Sequence, residues 1–123
     1  MKDVVIAADV AELHGTNQIT KETALTERGE TVPGRGDPVN RHDVLTGSTP
    51  EGRATVGGSQ DTTCGNWTRG GAGSAIVGHL DRMGLRDDAA SQSWNSSHAT
   101  RGCGLQALKS TGGGGLLYCF AAD

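Results

Sequence analysis

Histidine and acidic residues are concentrated in one stretch of the sequence, and they form its strongest polar group. The members with metal-binding or hydrogen-bonding side chains are His79, Asp81, Asp87, Asp88, Asn95 and His98. One residue separates His79 from Asp81, so an extended backbone places both side chains on one face. With His98 or an acidic neighbour they would hold a divalent metal, zinc for an imidazole-rich set and calcium for an oxygen-rich one. The alternative is that both side chains bond to backbone groups of a loop-rich fold.

The three cysteines, Cys64, Cys103 and Cys119, carry the second chemical signal. An odd number leaves one cysteine unpaired within the chain. No two of them have the short spacing of a zinc-binding pair. Free thiols in a reducing cytosol and disulfides in an oxidising compartment both remain open.

Composition favours the disulfide interpretation. Leu, Ile, Val and Phe together account for 21 of the 123 residues, and Gly for 20. Such a chain needs covalent support, because its core is thin and each ordered glycine loses much backbone entropy. The formal net charge is -3 and no basic run occurs, which argues against a nucleic-acid partner. No apolar stretch approaches the ~20 residues that span a bilayer, so a membrane-spanning role is not expected.

Short apolar segments separated by turn residues predict the elements that must position these side chains. The expected elements are a helical turn at Asp9–Gly15, a strand or single turn at Asn40–Leu45, a strand or tight turn at Ser74–Gly78, a helical turn at Leu105–Leu108 and a strand at Leu116–Phe120. Gly112–Gly115 is expected to be a flexible turn before the last strand. The pattern predicts a single α+β domain with much of its backbone in loops.

Several segments resemble a known family. Cys64-Gly65-Asn66-Trp67 matches a C-x-x-W signature, and similar segments cover Asn40–Ser48, Val77–Arg82 and Ser93–His98. On these residues, nearly the whole chain is similar to bacterial endostatin-like, C-type-lectin-like domains of unknown function. The resemblance implies a C-type-lectin-like (endostatin-like) α+β fold with short strands and a disulfide, as one domain over residues 1–123.

The same resemblance implies a disulfide pairing and a compartment. Family members have four cysteines, paired first with fourth and second with third, so Cys64 is expected to pair with Cys103. The family partner of Cys119 lies on an N-terminal helix that this sequence lacks. Residues 1–123 are therefore expected to be the C-terminal portion of the domain. Cys119 is expected to be free, or to bond with a partner chain, in a secreted or periplasmic protein without a signal peptide in the chain.

The function that the resemblance implies is a binding module for a glycan or an extracellular protein, bound by long loops between residues 65 and 102. The candidate ligand-binding residues are Trp94, Asn95, His98 and Arg82. Trp94 is expected at the surface and Trp67 in the core. No sugar-binding triplet of calcium-dependent lectins is present, nor is a nucleophile elbow or an H-E-x-x-H motif. The alternatives are a structural subunit completed by a partner chain, and a metal-dependent hydrolase.

Overall fold

A four-stranded mixed sheet organises the chain, which a computed structural model describes over residues 4–55 and 58–122. Its strands are β1 (Asp43–Leu45), β2 (Ile76–His79), β3 (His98–Ala99) and β4 (Gly113–Leu117), in the order β3-β2-β1-β4. β2 pairs antiparallel with both β1 and β3, whereas β1 and β4 run parallel. With the helices described below, this arrangement confirms the α+β prediction.

Within the described residues, two short helices lie outside the sheet, at α1 (Val10–Leu13) and α3 (Leu105–Ser110). A third segment, α2 (Cys64–Trp67), is a single left-handed turn, because its residues have φ between 50° and 63°. The Asp9 side chain caps α1 by accepting a hydrogen bond from the Glu12 amide at 2.8 Å. The helical turns predicted near Asp9 and Leu105 are therefore present. Across the described residues, every helix is too short to cross a membrane.

Strand β4 differs from its prediction, which placed a flexible turn at Gly112–Gly115 and the strand at Leu116–Phe120. The strand begins at Gly113 and ends at Leu117. Glycine fits at the start of this strand because a Cβ on Gly113 would lie only 3.0 Å from the carbonyl oxygen of Leu108 in α3. Pairing with β1 thus outweighs the weak strand preference of glycine.

The apolar interior contains two small clusters, and Ile19, Val77 and Leu108 are buried outside them. The larger, called here the apolar cluster, contains Val32, Val44 and Leu80, with Ala24, Leu116 and Tyr118 packed against it. The smaller surrounds the disulfide and contains Cys64, Ala75 and Cys103, with Leu45 packed against it. The expected pairing of Cys64 with Cys103 is confirmed, with a Cα–Cα distance of 5.8 Å. Closing a loop of this length contributes about 4 kcal/mol in the chain-entropy model.

The aromatic residues occupy places opposite to those expected from the sequence. Trp67 is 48% exposed, because α2 lies at the surface beside the small disulfide cluster. Trp94 is half-buried and meets the rings of Tyr118 and Phe120 edge-on, at centroid distances of 5.5 and 6.2 Å. Cys119 follows the end of β4 and is an exposed free cysteine.

Candidate metal centre

The register of the sheet brings three chemically active side chains to one face. Asp43 on β1 lies directly opposite His79 on β2, and Val77 on β2 lies opposite His98 on β3. Residues opposite each other in antiparallel strands share a face, as do residues two apart in one strand. Asp43, His79 and His98 therefore converge although 55 residues separate the first from the last.

A fourth side chain, His42, completes the group that we call the His–Asp cluster (His42, Asp43, His79 and His98). Asp43 Oδ1 lies 3.3 Å from His42 Nε2 and 3.2 Å from His79 Nε2. Its other oxygen, Oδ2, lies 3.3 Å from His98 Nε2. The Asp43 carboxylate is 2% exposed, and neither oxygen accepts a hydrogen bond from the described part of the chain. One ligand atom each of His42, Asp43 and His79 lie within 4.8 Å of one another.

The opposite ring nitrogen of each histidine has a hydrogen-bond acceptor. His42 Nδ1 lies 2.8 Å from Asp81 Oδ1, and His79 Nδ1 lies 2.7 Å from the Ser91 carbonyl oxygen. His98 Nδ1 lies 3.1 Å from the carbonyl oxygen of the next residue. In a neutral ring these acceptors favour the tautomer that carries the proton on Nδ1. The Nε2 lone pairs then face the Asp43 carboxylate.

The electrostatics of the cluster favour a cation at its centre. Burial alone would raise the pKa of the Asp43 carboxyl, but the imidazoles of His79 and His98 outweigh burial and hold it below its usual value. Contact with Asp43 raises the pKa of His98 above its usual value, against the opposing effect of burial. The carboxylate is therefore ionised at neutral pH and attracts positive charge toward the Nε2 atoms.

Asp81 lies behind His42 and does not face the Asp43 carboxylate. Its carboxylate accepts hydrogen bonds from the Arg35 amide and His42 Nδ1, both at 2.8 Å. The extended geometry that would align Asp81 with His79 ends where β2 ends, and Arg82 has a φ of 59°. Burial raises the pKa of the Asp81 carboxyl, and the bonds from His42 and Arg35 more than offset it. Asp81 thus orients a ring of the His–Asp cluster.

A cleft of about 920 Å³ opens above the His–Asp cluster. His42, His79 and His98 line its floor, and the loop of residues 80–97 between β2 and β3 forms part of its wall. The His98 side chain is 35% exposed, whereas those of His42 and His79 are buried. A metal held by the cluster would therefore be reached from the cleft.

Two of the sequence-predicted ligand-binding residues make hydrogen bonds within the fold. Asn95 is 2% exposed, and its amide nitrogen donates to the carbonyl oxygens of Thr49 and Pro50 at 3.1 and 3.2 Å. The Arg82 guanidinium donates to the Ile19 carbonyl oxygen at 3.1 Å and also contacts the Asn17 side chain. Both residues tie distant loops together.

The other two ligand-binding candidates are separated from each other. Trp94 packs in the aromatic group with Tyr118, whose hydroxyl donates to the Trp94 carbonyl oxygen at 3.0 Å. His98 belongs to the His–Asp cluster and lines the cleft. Of the four candidates, His98 alone is among the residues that line this cleft.

His42 and Asp43 are the members of the cluster that were not predicted from the sequence. They lie immediately before the apolar pair Val44-Leu45. The sequence feature that could have indicated them is therefore a polar pair at the start of a strand. That signal becomes informative only with the register that sets Asp43 opposite His79. Comparison of the chain with protein-family models, curated proteins and solved structures yields no match.

Proposed function

We propose that this chain is an extracytoplasmic binding domain that holds a divalent metal of the zinc class in the His–Asp cluster and takes its ligand in the cleft above. The observation that carries the proposal is the convergence of three imidazole Nε2 atoms on the buried Asp43 carboxylate, which accepts no hydrogen bond from the described residues. A buried ionised carboxylate whose oxygens accept no well-formed hydrogen bond is costly, so a cation between these atoms accounts for the arrangement.

The distances support a metal rather than direct hydrogen bonds. A charge-assisted N–H···O bond is about 2.7–2.9 Å long. The contacts from Asp43 Oδ1 to His42 Nε2 and His79 Nε2 are longer, at 3.3 and 3.2 Å. Ligands about 2.0–2.1 Å from a tetrahedral zinc ion lie about 3.3 Å from one another. The two spacings from Asp43 Oδ1 therefore match the edge of a zinc coordination tetrahedron. The His42 and His79 rings are stacked with centroids 4.0 Å apart, so one of them must turn to direct its Nε2 at the same ion.

The donor atoms favour zinc over calcium. Calcium and magnesium prefer sets made of oxygen ligands, whereas the His–Asp cluster offers three imidazole nitrogens and one carboxylate. Metal-bound histidines commonly donate the other ring N–H to a carboxylate or a backbone carbonyl. His42 and His79 have such acceptors in Asp81 and Ser91.

Three protein ligands leave a coordination position for a ligand from the cleft. His42, Asp43 and His79 are proposed as these ligands, because their atoms lie closest together. His98 stands beside the second oxygen of Asp43, on the more exposed side. A centre with three protein ligands keeps an open fourth position in many zinc proteins.

The fold family and the compartment belong to the same proposal. A C-type-lectin-like (endostatin-like) fold is proposed on the sequence resemblance, and the α+β sheet agrees with it at the level of fold class. The Cys64–Cys103 disulfide supports an oxidising, extracytoplasmic location. The long loop of residues 80–97 supports binding of a glycan or protein ligand.

The test is a titration of metal-free protein with Zn²⁺ by calorimetry, and with Co²⁺ by visible absorption. We expect one metal per chain and the intense visible bands of tetrahedral Co²⁺. Asp43→Asn and His79→Gln remove a ligand each and should abolish stoichiometric binding. His14→Gln is the matched control, because His14 lies outside the cluster, against Trp94.

Circular dichroism establishes that each variant is folded before its titration is interpreted. Absence of stoichiometric zinc binding by the wild-type protein overturns the proposal without any variant. Full zinc affinity in a folded Asp43→Asn protein also overturns it, since the carboxylate would then have no role in coordination.

A metal-dependent hydrolase is the second candidate function. It is favoured by the exposure of His98 on the wall of the cleft, because a metal there would be open to water. A zinc-bound water is a good nucleophile near neutral pH. Turnover of ester or amide substrates by the zinc-loaded protein, absent from Asp43→Asn, would establish this function in place of binding alone.

A further inference from the structure

The rim of the cleft carries a concentration of positive charge. Its basic residues are Arg35, Arg41, Arg86, Arg101 and Lys109. They are five of the 11 lysines and arginines of a chain whose formal net charge is -3. Asp88 is the one acidic side chain among the residues that line the cleft. The charge of the cleft is therefore opposite in sign to that of the whole molecule.

Folding assembles these cations from separate parts of the chain. Arg35 and Arg41 lie in the segment that leads into β1, and Arg86 lies in the loop after β2. Arg101 follows β3, and Lys109 stands in the last turn of α3. Such convergence from distant segments concentrates positive potential inside a concave site.

The rim cations lack carboxylate partners in the described part of the fold, although the Arg41 guanidinium donates to the Asn40 carbonyl oxygen at 2.8 Å. Within residues 4–55 and 58–122, none of the five forms an ion pair, whereas Lys21 and Arg69 elsewhere pair with Asp37 and Asp61. Arg101 and Lys109 are exposed. Unpaired basic side chains around one cleft attract an anion rather than stabilise the fold.

We propose that the cleft binds a small phosphorylated molecule through its phosphate group. One phosphate oxygen would occupy the open position of the metal, and the rim guanidinium groups would hold the others. Arginine forks match the oxygens of a phosphate in pairs, and a dianion balances several cations better than a single carboxylate does. A volume of about 920 Å³ accommodates the phosphate with an attached group the size of a sugar.

The contact between the phosphate and the metal rests on the proposed function, whereas the contacts between the phosphate and the rim residues do not. One structural link joins the two. The backbone amide of Arg35 bonds to the same Asp81 carboxylate that orients the ring of His42. The rim and the metal centre are therefore held in a fixed relation on one side of the cleft.

The test measures binding of inorganic phosphate, glucose 6-phosphate and glucose by calorimetry to the metal-free and the zinc-loaded protein, after free metal is removed. We expect both phosphates to bind the zinc-loaded protein, and glucose not to bind. The double variant Arg101→Gln with Lys109→Gln should weaken phosphate binding about tenfold or more, while zinc stoichiometry stays unchanged. Arg28→Gln with Arg53→Gln removes the same charge from exposed sites outside the cleft and should change neither quantity.

The outcomes separate this inference from the proposed function. Stoichiometric zinc binding without phosphate binding overturns the inference and leaves the metal centre standing. Phosphate binding to a protein that takes up no zinc supports the rim contacts and overturns the metal centre. Equal binding of glucose and glucose 6-phosphate, or an equal effect of the two double variants, overturns the inference.

Discussion

Two consecutive residues of β1 show how differently the two faces of the sheet are used. Val44 points into the apolar cluster with Val32 and Leu80. Asp43 points to the other face, where it is equally buried but surrounded by imidazoles. Burial of Val44 stabilises the fold, as burial of an apolar side chain does in any small domain. Burial of the charged Asp43 side chain does not stabilise the fold.

The contrast between Val44 and Asp43 shows which buried residues stabilise the fold and which destabilise it. Burying one valine or leucine contributes about 1.5–3 kcal/mol. Burying an ionised carboxylate without hydrogen bonds costs several kcal/mol unless a cation compensates it. A chain with only three fully buried residues in its apolar cluster nevertheless buries Asp43, His42 and His79. The apolar face therefore stabilises the fold, whereas the buried Asp43 carboxylate costs stability that the proposed metal would offset.

The largest loss of stability is expected from a substitution at Gly78. A Cβ on Gly78 would lie 1.7 Å from the Trp94 carbonyl oxygen, so Gly78→Ala must displace the segment that leads to His98. We expect a loss of about 4 kcal/mol or more in the free energy of unfolding, measured by urea denaturation. Gly71→Ala is the control, because a Cβ there has no neighbour within 4 Å. Similar stability of the two variants would contradict the close approach.

Leu80→Ala tests the apolar face by itself. Leu80 is almost completely buried in the apolar cluster, and its truncation should lower the free energy of unfolding by about 3 kcal/mol. Its side chain does not belong to the His–Asp cluster, so zinc stoichiometry should remain that of the wild type. Urea denaturation and zinc titration of the same sample check both statements. Loss of zinc binding in a folded variant would show that the two faces are not independent.

Asp81→Asn tests the polar face, and its main expected effect is on zinc affinity. The asparagine fits the same space but gives His42 Nδ1 a weaker acceptor, so the imidazole is oriented less firmly. We expect zinc affinity to fall about tenfold to a hundredfold. The metal-free protein should lose about 1–3 kcal/mol of stability, because the asparagine NH2 group must face one of two donors, the Arg35 amide or His42 Nδ1. Calorimetric titration measures the first and urea denaturation the second. Unchanged affinity would remove Asp81 from the metal centre.

The smallest effect is expected from Tyr118→Phe on the apolar side. The Tyr118 hydroxyl donates to the Trp94 carbonyl oxygen, and its loss should cost about 1 kcal/mol at neutral pH. Burial raises the pKa of Tyr118 above its ordinary value. Above about pH 10 the unfolded chain therefore loses the tyrosine proton first, and wild-type stability falls as pH rises.

The variant lacks this ionisation, so its stability should depend less on pH above about pH 10. Urea denaturation of both proteins at neutral pH and in that alkaline range measures the difference. Parallel pH profiles of wild type and variant would contradict the assignment to Tyr118.

Local sequence signals predicted the local parts of the fold. Asp9 marked the start of a helical turn, and the apolar run of residues 74–78 marked the strand before His79. The Cys64–Cys103 pairing came from the family resemblance and is present. Each of these features depends on neighbours in the sequence or on a known pattern.

The features that depend on distant contacts were not predicted. The strand preference of Gly113 is weak, and its pairing with β1 is a tertiary effect. Trp67 and Trp94 exchanged their expected environments, because the aromatic group around Tyr118 assembles only in the folded molecule. His42 and Asp43 lacked a spacing signal toward His79 and became a site through sheet register alone.

The parallel pairing of β1 with β4 determines the order in which the strands can pair during synthesis. The backbone amide of Asp43 donates to the Gly112 carbonyl oxygen, at the end of α3 and just before β4. His42, Asp43, His79 and His98 all leave the ribosome before that carbonyl does. The nascent chain therefore carries all four side chains of the His–Asp cluster while one edge of β1 is still unpaired, and such non-local pairings form slowly. Pairing of β1, β2 and β3, which assembles the His–Asp cluster, would precede completion of the sheet by β4.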